Sequence, residues 1–285
     1  MNLRNLLIQH NLILIIIILF SFGYPQIKLD IVEYRPFPDE VAILDLEPTK
    51  FCWSIGNTFL LLDQNKGELF EIDQFGNFTL SGSVSKDNSN YAELIWIGFS
   101  PLGVQVADRL ENELIYLDFR LNPIQRIRFN HAIFPELASI DPWGRLFIYS
   151  KTYNSIYLFE NSRVDKIPFI NLSNELRSDR CIIDLENNED GSIGVLDCNG
   201  FFHFFSQNGQ LQESISIDIR EPEFLISLRN DWMVFNRDGD CQSIKYNQIM
   251  VLPGSSRPIF DIVSSNRSLA VLSNDHILII DVRNN

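Results

Sequence analysis

Carboxylates are the chemistry-bearing residues that recur along this chain. Glu47, Glu93, Glu136, Asp184, Glu223 and Asp261 return at regular intervals, and Asp63, Asp108 and Asp197 close apolar runs between them. Carboxylates that converge repel one another and hold their protons more tightly unless a cation or a basic partner relieves them. Hard oxygen ligands of this kind suit Ca²⁺, which makes an acidic binding site the first chemical expectation. The competing reading is structural: 37 acidic residues make coincidences common, and Asp184 sits inside the apolar run Ile182-Ile183-Asp184-Leu185.

Other chemistries find less support. His10 lies in the N-terminal segment, His203 is flanked by phenylalanines, and His276 opens the last apolar run. That leaves His131, between Asn130 and Ala132, as the loop histidine. No Ser/His/Asp set can be assembled from spacing, and no Gly-rich phosphate loop is present.

The elements that would position the acids repeat. Apolar runs end at Asp63, Asp108, Ser150, Asp197, Asn236 and Ser273, at intervals of 45, 42, 47, 39 and 37 residues. A following run ends at Asp73, Asp118, Glu160, Ser206, Asn247 and Asp281. Breakers such as Asn65-Lys66-Gly67, Asp141-Pro142-Trp143-Gly144 and Asp238-Gly239 separate the runs. Six recurrences of short strands, with almost no room for helices, predict an all-β, single closed β-propeller of about six four-stranded blades. A ring of sheets covers each blade face with a neighbour, which a lone four-stranded sheet cannot do. The blades are expected at roughly 47–90, 91–133, 134–178, 179–221, 222–256 and 257–285. The sixth unit has three strands, so a strand from 27–46 completes it; Ile27–Tyr34 and Val41–Leu46 are both candidates. A single helical turn is expected around Asn174–Arg180.

The stretch FPELASIDPWGRLFIYSKTYNSIYLFE (134–159) resembles the NHL and TolB-like six-bladed propeller repeat, and FLLLDQNKGELFEIDQFGNF (59–78) its second half. It also looks like the exported six-bladed propellers of Bacteroidetes-type genomes. The resemblance covers most of 47–285, with the fifth and sixth units departing from it. It implies that ligands sit at one mouth of a central channel, where each innermost strand begins. Glu47, Glu93, Glu136, Asp184, Glu223 and Asp261 fall at or near those starts, with Asp63, Asp108 and Asp197 on the same face. Some propellers of this kind are metal-dependent lactonases, and Asn57, Asn199 and Asn236 could join the acids as ligands on that reading.

The N-terminus sets the expected location. Arg4, the apolar run Leu12–Phe20 and Ser21-Phe22-Gly23 read as a signal peptide cut after Gly23, with an uncleaved anchor as the alternative. The product is then exported, to the periplasm or outside the cell. Its remaining 262 residues (24–285) carry a net charge of −15, since the removed segment holds one of the 23 basic residues and none of the 37 acids. That surface and the lack of a Lys/Arg cluster exclude nucleic acid as a partner. In an exported chain Cys181 and Cys198, flanking the turn Asn187–Gly191, are the candidate disulfide. Cys52 and Cys241 read as buried free thiols. The expectation is therefore a monomeric, non-catalytic binding or scaffold module without a resident cofactor, Ca²⁺ aside. It would meet a protein or glycan of the cell envelope through the acidic mouth. A lactonase-type, metal-dependent hydrolase is the alternative.

Overall fold

The computed structural model describes residues 27–81, 91–100, 103–176, 181–254 and 258–284. The signal-peptide expectation, with its cut after Gly23, falls on residues outside that set. Among the described residues no helix is long and apolar enough to cross a membrane.

The chain opens with β1 (Ile27–Pro36) and the five-residue helix α1 (Asp39–Ile43). Blade 1 is β2 (Lys50–Trp53), β3 (Phe59–Asp63), β4 (Glu68–Ile72) and β5 (Phe78–Leu80). Blade 2 is β6 (Leu94–Ser100), β7 (Gly103–Asp108), β8 (Glu113–Leu117) and β9 (Pro123–Arg128). Blade 3 is β10 (Pro135–Ile140), β11 (Leu146–Ser150) and β12 (Ser155–Glu160), edged by the short strands β13 (Arg163–Val164) and β14 (Ile170–Asn171). The single turn α2 (Leu172–Glu175) follows, slightly earlier than expected. Blade 4 is β15 (Ile182–Asn187), β16 (Ile193–Asp197), β17 (Phe201–Phe205) and β18 (Leu211–Ser216). Blade 5 is β19 (Phe224–Leu228), β20 (Asp231–Phe235), β21 (Asp240–Ser243) and β22 (Gln248–Val251). Blade 6 is β23 (Asp261–Ser265), β24 (Ser268–Leu272) and β25 (His276–Asn284).

These are six antiparallel blades in a six-bladed propeller. Blade 6 takes its fourth strand from β1, paired antiparallel with β25 from Ile27 opposite Asn284 to Pro36 opposite His276. Val41–Leu46, the other candidate for that role, instead forms the end of helix α1 and the turn after it, with Val41 the buried residue of the helix. The innermost strands touch in order around the ring, β2 to β6, β10, β15, β19 and β23, and back to β2. Blade 3 has a split outer strand because Pro168, in the gap between β13 and β14, has no N–H to give to a ladder.

The second strands form the core. Every residue of β3, β11, β16 and β20 is buried, as strands covered on both faces require. Blade-to-blade clusters do the covering: Phe59, Leu61 and Phe70 of blade 1 pack on Ala270, Leu272 and Ile277 of blade 6. Each such fully buried Leu or Phe contributes about 1.5–3 kcal/mol. At ring closure this holds two ends of the chain in one rigid wall around the channel.

Candidate active site in the channel

The six inner strands enclose a cavity of about 250 Å³ lined by residues of every blade. Blades 1, 4 and 6 contribute charge to it. Lys50, the first residue of β2, places Nζ 3.0 Å from Oδ1 of Asp261, the first residue of β23. Asp261 Oδ2 also accepts from the Phe51 N–H at 3.1 Å, so this acid ties blade 6 to blade 1. Asp184, on β15, accepts from the N–H groups of Leu185 at 2.9 Å and Leu225 at 2.7 Å, tying blade 4 to blade 5. Two residues further on, Glu186 accepts from Ser139 Oγ of blade 3 at 3.3 Å, and the same oxygen accepts from the Asn187 N–H at 3.1 Å. The rest of the lining is largely aromatic and aliphatic, with Trp53, Trp96, Phe99 and Ile140. The Trp96 ring lies on Gly98 so closely that a Cβ there would stand 2.1 Å from it. Only glycine leaves the indole this place in the wall.

The electrostatics follow from confinement. Asp184 and Glu186 are partly accessible, but only to a lumen with protein on every side, so their charged forms lose much of their hydration. Burial pushes Asp184 up to about 6, against the opposing pull of Lys50. Glu186 goes further, to about 8, through burial first and then the charge of Asp184. Burial also raises Asp261. Lys50 would lose its proton more easily through burial alone; the charge of Asp261, then that of Asp184, outweighs this and raises it. It is therefore a fixed ammonium, unsuited to attack as a free amine. Cys52 also lines the cavity, and burial raises its thiol, which keeps it an inert free cysteine.

The acids singled out in the sequence divide. Asp184 and Asp261 reach the lumen. Glu93 and Glu136 do not meet them, because both bind Arg109, whose Nε is 2.8 Å from Glu93 Oε2 and whose Nη1 is 2.9 Å from Glu136 Oε2. Glu223 pairs with Arg237 Nε at 2.6 Å, and Glu47 is exposed. Asp63, Asp108 and Asp197 are buried and engaged by main-chain N–H groups: Glu47 and Lys66 for Asp63, Ala92, Glu93 and Glu111 for Asp108, Asn199 and Phe201 for Asp197. Cys181 and Cys198 form a disulfide with Cα atoms 5.6 Å apart, and Cys241 is a buried free thiol. The sequence reading passed over Lys50, Ser139 and Glu186. Its one available signal was the acid–Leu–acid alternation of Asp184-Leu185-Glu186 in an otherwise apolar inner strand.

A lactonase-type divalent ion does not fit what is there. Among the described residues no group of three His, Cys, Asp or Glu side chains is placed to hold a metal. Of the asparagines, Asn57 accepts from Trp53 Nε1 and Asn236 anchors its own turn through the N–H groups of Asp238 and Asp240.

No protein-family model matches the chain, and no curated protein matches its sequence. Solved structures do match its fold. Selenomethionine-substituted virginiamycin B lyase from Staphylococcus aureus is 10% identical with a TM-score of 0.62, over 90% of this chain and 99% of that one. A catalytically inactive histidine-to-alanine variant of the same lyase, determined with quinupristin, is 11% identical with a TM-score of 0.60 over the same shares. A streptogramin B lyase structure is 10% identical with a TM-score of 0.57, over 91% of this chain and 98% of that one. This corrects the expectation of a non-catalytic scaffold. The three named structures are enzyme propellers, so this fold gives no ground for a purely docking role.

Proposed function

We propose that this protein is an enzyme that moves protons inside its channel, a lyase acting on a carbonyl compound with an oxygen leaving group. One observation carries this: two carboxyls two residues apart on β15 share one lumen with an ammonium held charged by Asp261. Environments that push two carboxyls apart in acidity assign their roles. Asp184, at about 6, is ionised at neutral pH and takes the proton from the carbon beside the carbonyl. Glu186, at about 8, is still protonated and gives its proton to the departing oxygen. Lys50 steadies the negative charge that grows on the carbonyl oxygen. The elimination class rests on fold-level analogy to the lyases.

The cavity is smaller than the ~300–1,000 Å³ of most small-molecule sites. It therefore takes a small substrate, or one group projecting from a large one against Trp53 and Trp96. Quinupristin and a panel of carbonyl compounds with β-oxygen leaving groups are incubated with the protein and followed by mass spectrometry. Elimination gives products whose atoms sum to the substrate, whereas hydrolysis adds one water. Asp184→Asn and Glu186→Gln should each lower kcat/KM by about 10²–10⁴-fold, the usual worth of a general base or acid. Activity should rise with pH through about 6 and fall through about 8. Turnover unaffected by either variant would overturn the reading. The turns from Asp73 to Asn77 and Asp141 to Gly144 support an NHL/TolB-like repeat type, and the Leu12–Phe20 run supports export, which N-terminal sequencing of the mature protein tests.

A further inference from the structure

At the perimeter of blade 4, three side chains from the consecutive strands β16, β17 and β18 come together. Ser214, exposed on the outer strand β18, lies directly across from His203 on β17. Its Oγ is 2.8 Å from His203 Nδ1, and His203 Nε2 is 3.3 Å from Oδ2 of Asp197 at the end of β16. His203 and Asp197 are both more than nine-tenths buried. An ionised carboxylate only accepts hydrogen bonds, so Asp197 fixes the imidazole hydrogen on Nε2. The lone pair on Nδ1 is left facing the Ser214 hydroxyl. Asp197 cannot swing away, because its Oδ1 accepts N–H groups of Asn199 and Phe201 at 2.9 Å each. Burial alone would raise Asp197; the hydrogen bonds from His203 and then Phe201 outweigh it and hold the carboxyl below its ordinary range.

We propose that Ser214, His203 and Asp197 form a second site, an acyl-transfer centre for small aryl esters, separate from the channel. The nucleophile touches its base and the base touches its orienting acid, which are the geometric requirements for an activated serine. The edge of the sheet supplies the oxyanion donors. The Ile217 N–H donates to Gly200 O, and with the β17–β18 register this turns the N–H groups of residues 213, 215 and 217 inward. Those of Ser214 and Ser216 then point outward from the last strand of the blade, where among the described residues no further strand pairs. Phe201 is 40% exposed and stacked beside His203, with ring centroids 6.3 Å apart, and offers an apolar face to an aryl group.

In the first step the Ser214 hydroxyl proton passes to His203 Nδ1 as Oγ bonds to the ester carbonyl carbon. The carbon–aryloxy bond then breaks and the departing oxygen takes the proton from His203. Water attacks the acyl-serine in the second step, giving its proton to His203, which returns it to Ser214 Oγ as the carboxylic acid leaves.

The test uses the full chain with a fluorophosphonate probe, which reports activated serines, and with p-nitrophenyl acetate. Peptide mapping should place the label on Ser214 and not on Ser216, which is also exposed on the same strand but faces Phe201 rather than a histidine. That internal control needs no substitution. His203→Gln should slow labelling and nitrophenol release by about a hundredfold or more, in line with the worth of a positioned base. Ser214→Ala, at an exposed position, should abolish both with an unchanged melting curve. No label on Ser214, label spread equally over Ser214 and Ser216, or labelling indifferent to His203→Gln would each overturn the proposal and leave a purely structural Ser–His–Asp contact.

Discussion

Asp108 at the end of β7 and Glu186 in the channel wall are both carboxylates enclosed by protein, yet their surroundings set them to opposite work. Asp108 is fully buried and accepts N–H groups from Ala92, Glu93 and Glu111, which pins the chain where it enters and leaves the inner hairpin of blade 2. Asp73 and Asp118 repeat this in outer turns. Burial works against the ionised form of each, and hydrogen bonds from Asn77 and Asn122 outweigh it, so both lie below the ordinary carboxylate range. Glu186 has one hydroxyl partner, from Ser139, and a charged neighbour in Asp184, and it goes up. Donor supply is the difference. Asp108, given three N–H groups, is a structural pin, and Glu186, given one hydroxyl beside a like charge, holds its proton.

The largest effects should separate the two sets by kind. Asp184→Asn and Glu186→Gln should remove most turnover and leave the fold intact. Asp108→Ala should leave three N–H groups without an acceptor inside the protein and cost about 2–4 kcal/mol of stability in a denaturant titration. A catalytic loss for Asp108→Ala in protein that is still fully folded would break the comparison.

A smaller effect sharpens it through pH. Glu186 ionises near 4.5 in the unfolded chain and near 8 in the folded one, so the folded state binds the proton more tightly. Its contribution to stability is full below about 4.5, falls as pH rises to about 8, and is gone above that. Glutamine has no proton to lose. Glu186→Gln should therefore match the parent protein at pH 4 and exceed it by about 1–3 kcal/mol at pH 9, after allowance for lumen water. Paired melting curves at the two values decide this.

Much of the architecture could be read from the residues. The strand-end series from Asp63 to Ser273 is legible because a strand covered on both faces must be continuously apolar and must stop at a turn. The sequence leaves ring closure open between two segments, since Val41–Leu46 is as apolar as Ile27–Tyr34. What decides it is a nine-residue match to β25 that only the assembled ring displays. The site was half legible. Asp184 and Asp261 stood out as acids, but nothing in one sequence says that Arg109 takes Glu93 and Glu136 for itself, or that Lys50 meets Asp261 across 211 positions. Ser214, His203 and Asp197 were hidden for a similar reason: their contact depends on the registers of β16 against β17 and of β17 against β18, not on any spacing motif.

Arg109 gives the smallest effect and the finest test of the comparison. It links blades 2 and 3 at the mouth through Glu93 and Glu136, and side-chain hydrogen bonds to Glu93 first, then Glu136, raise its pKa. This is three charged groups with good geometry, more Coulombic attraction on paper than Asp108 has. All three side chains are nevertheless about a third exposed, at 34%, 33% and 30%. Water screens such pairs, so Arg109→Ala should cost only about 0.5–1 kcal/mol, and less in ~1 M salt, where screening reaches ~3 Å. Asp108→Ala should be nearly indifferent to that salt, because its lost partners are neutral main-chain N–H groups. If Arg109→Ala proves the costlier change, donor supply is not what ranks these acids, and the mouth charges rather than the turn pins hold adjacent blades together.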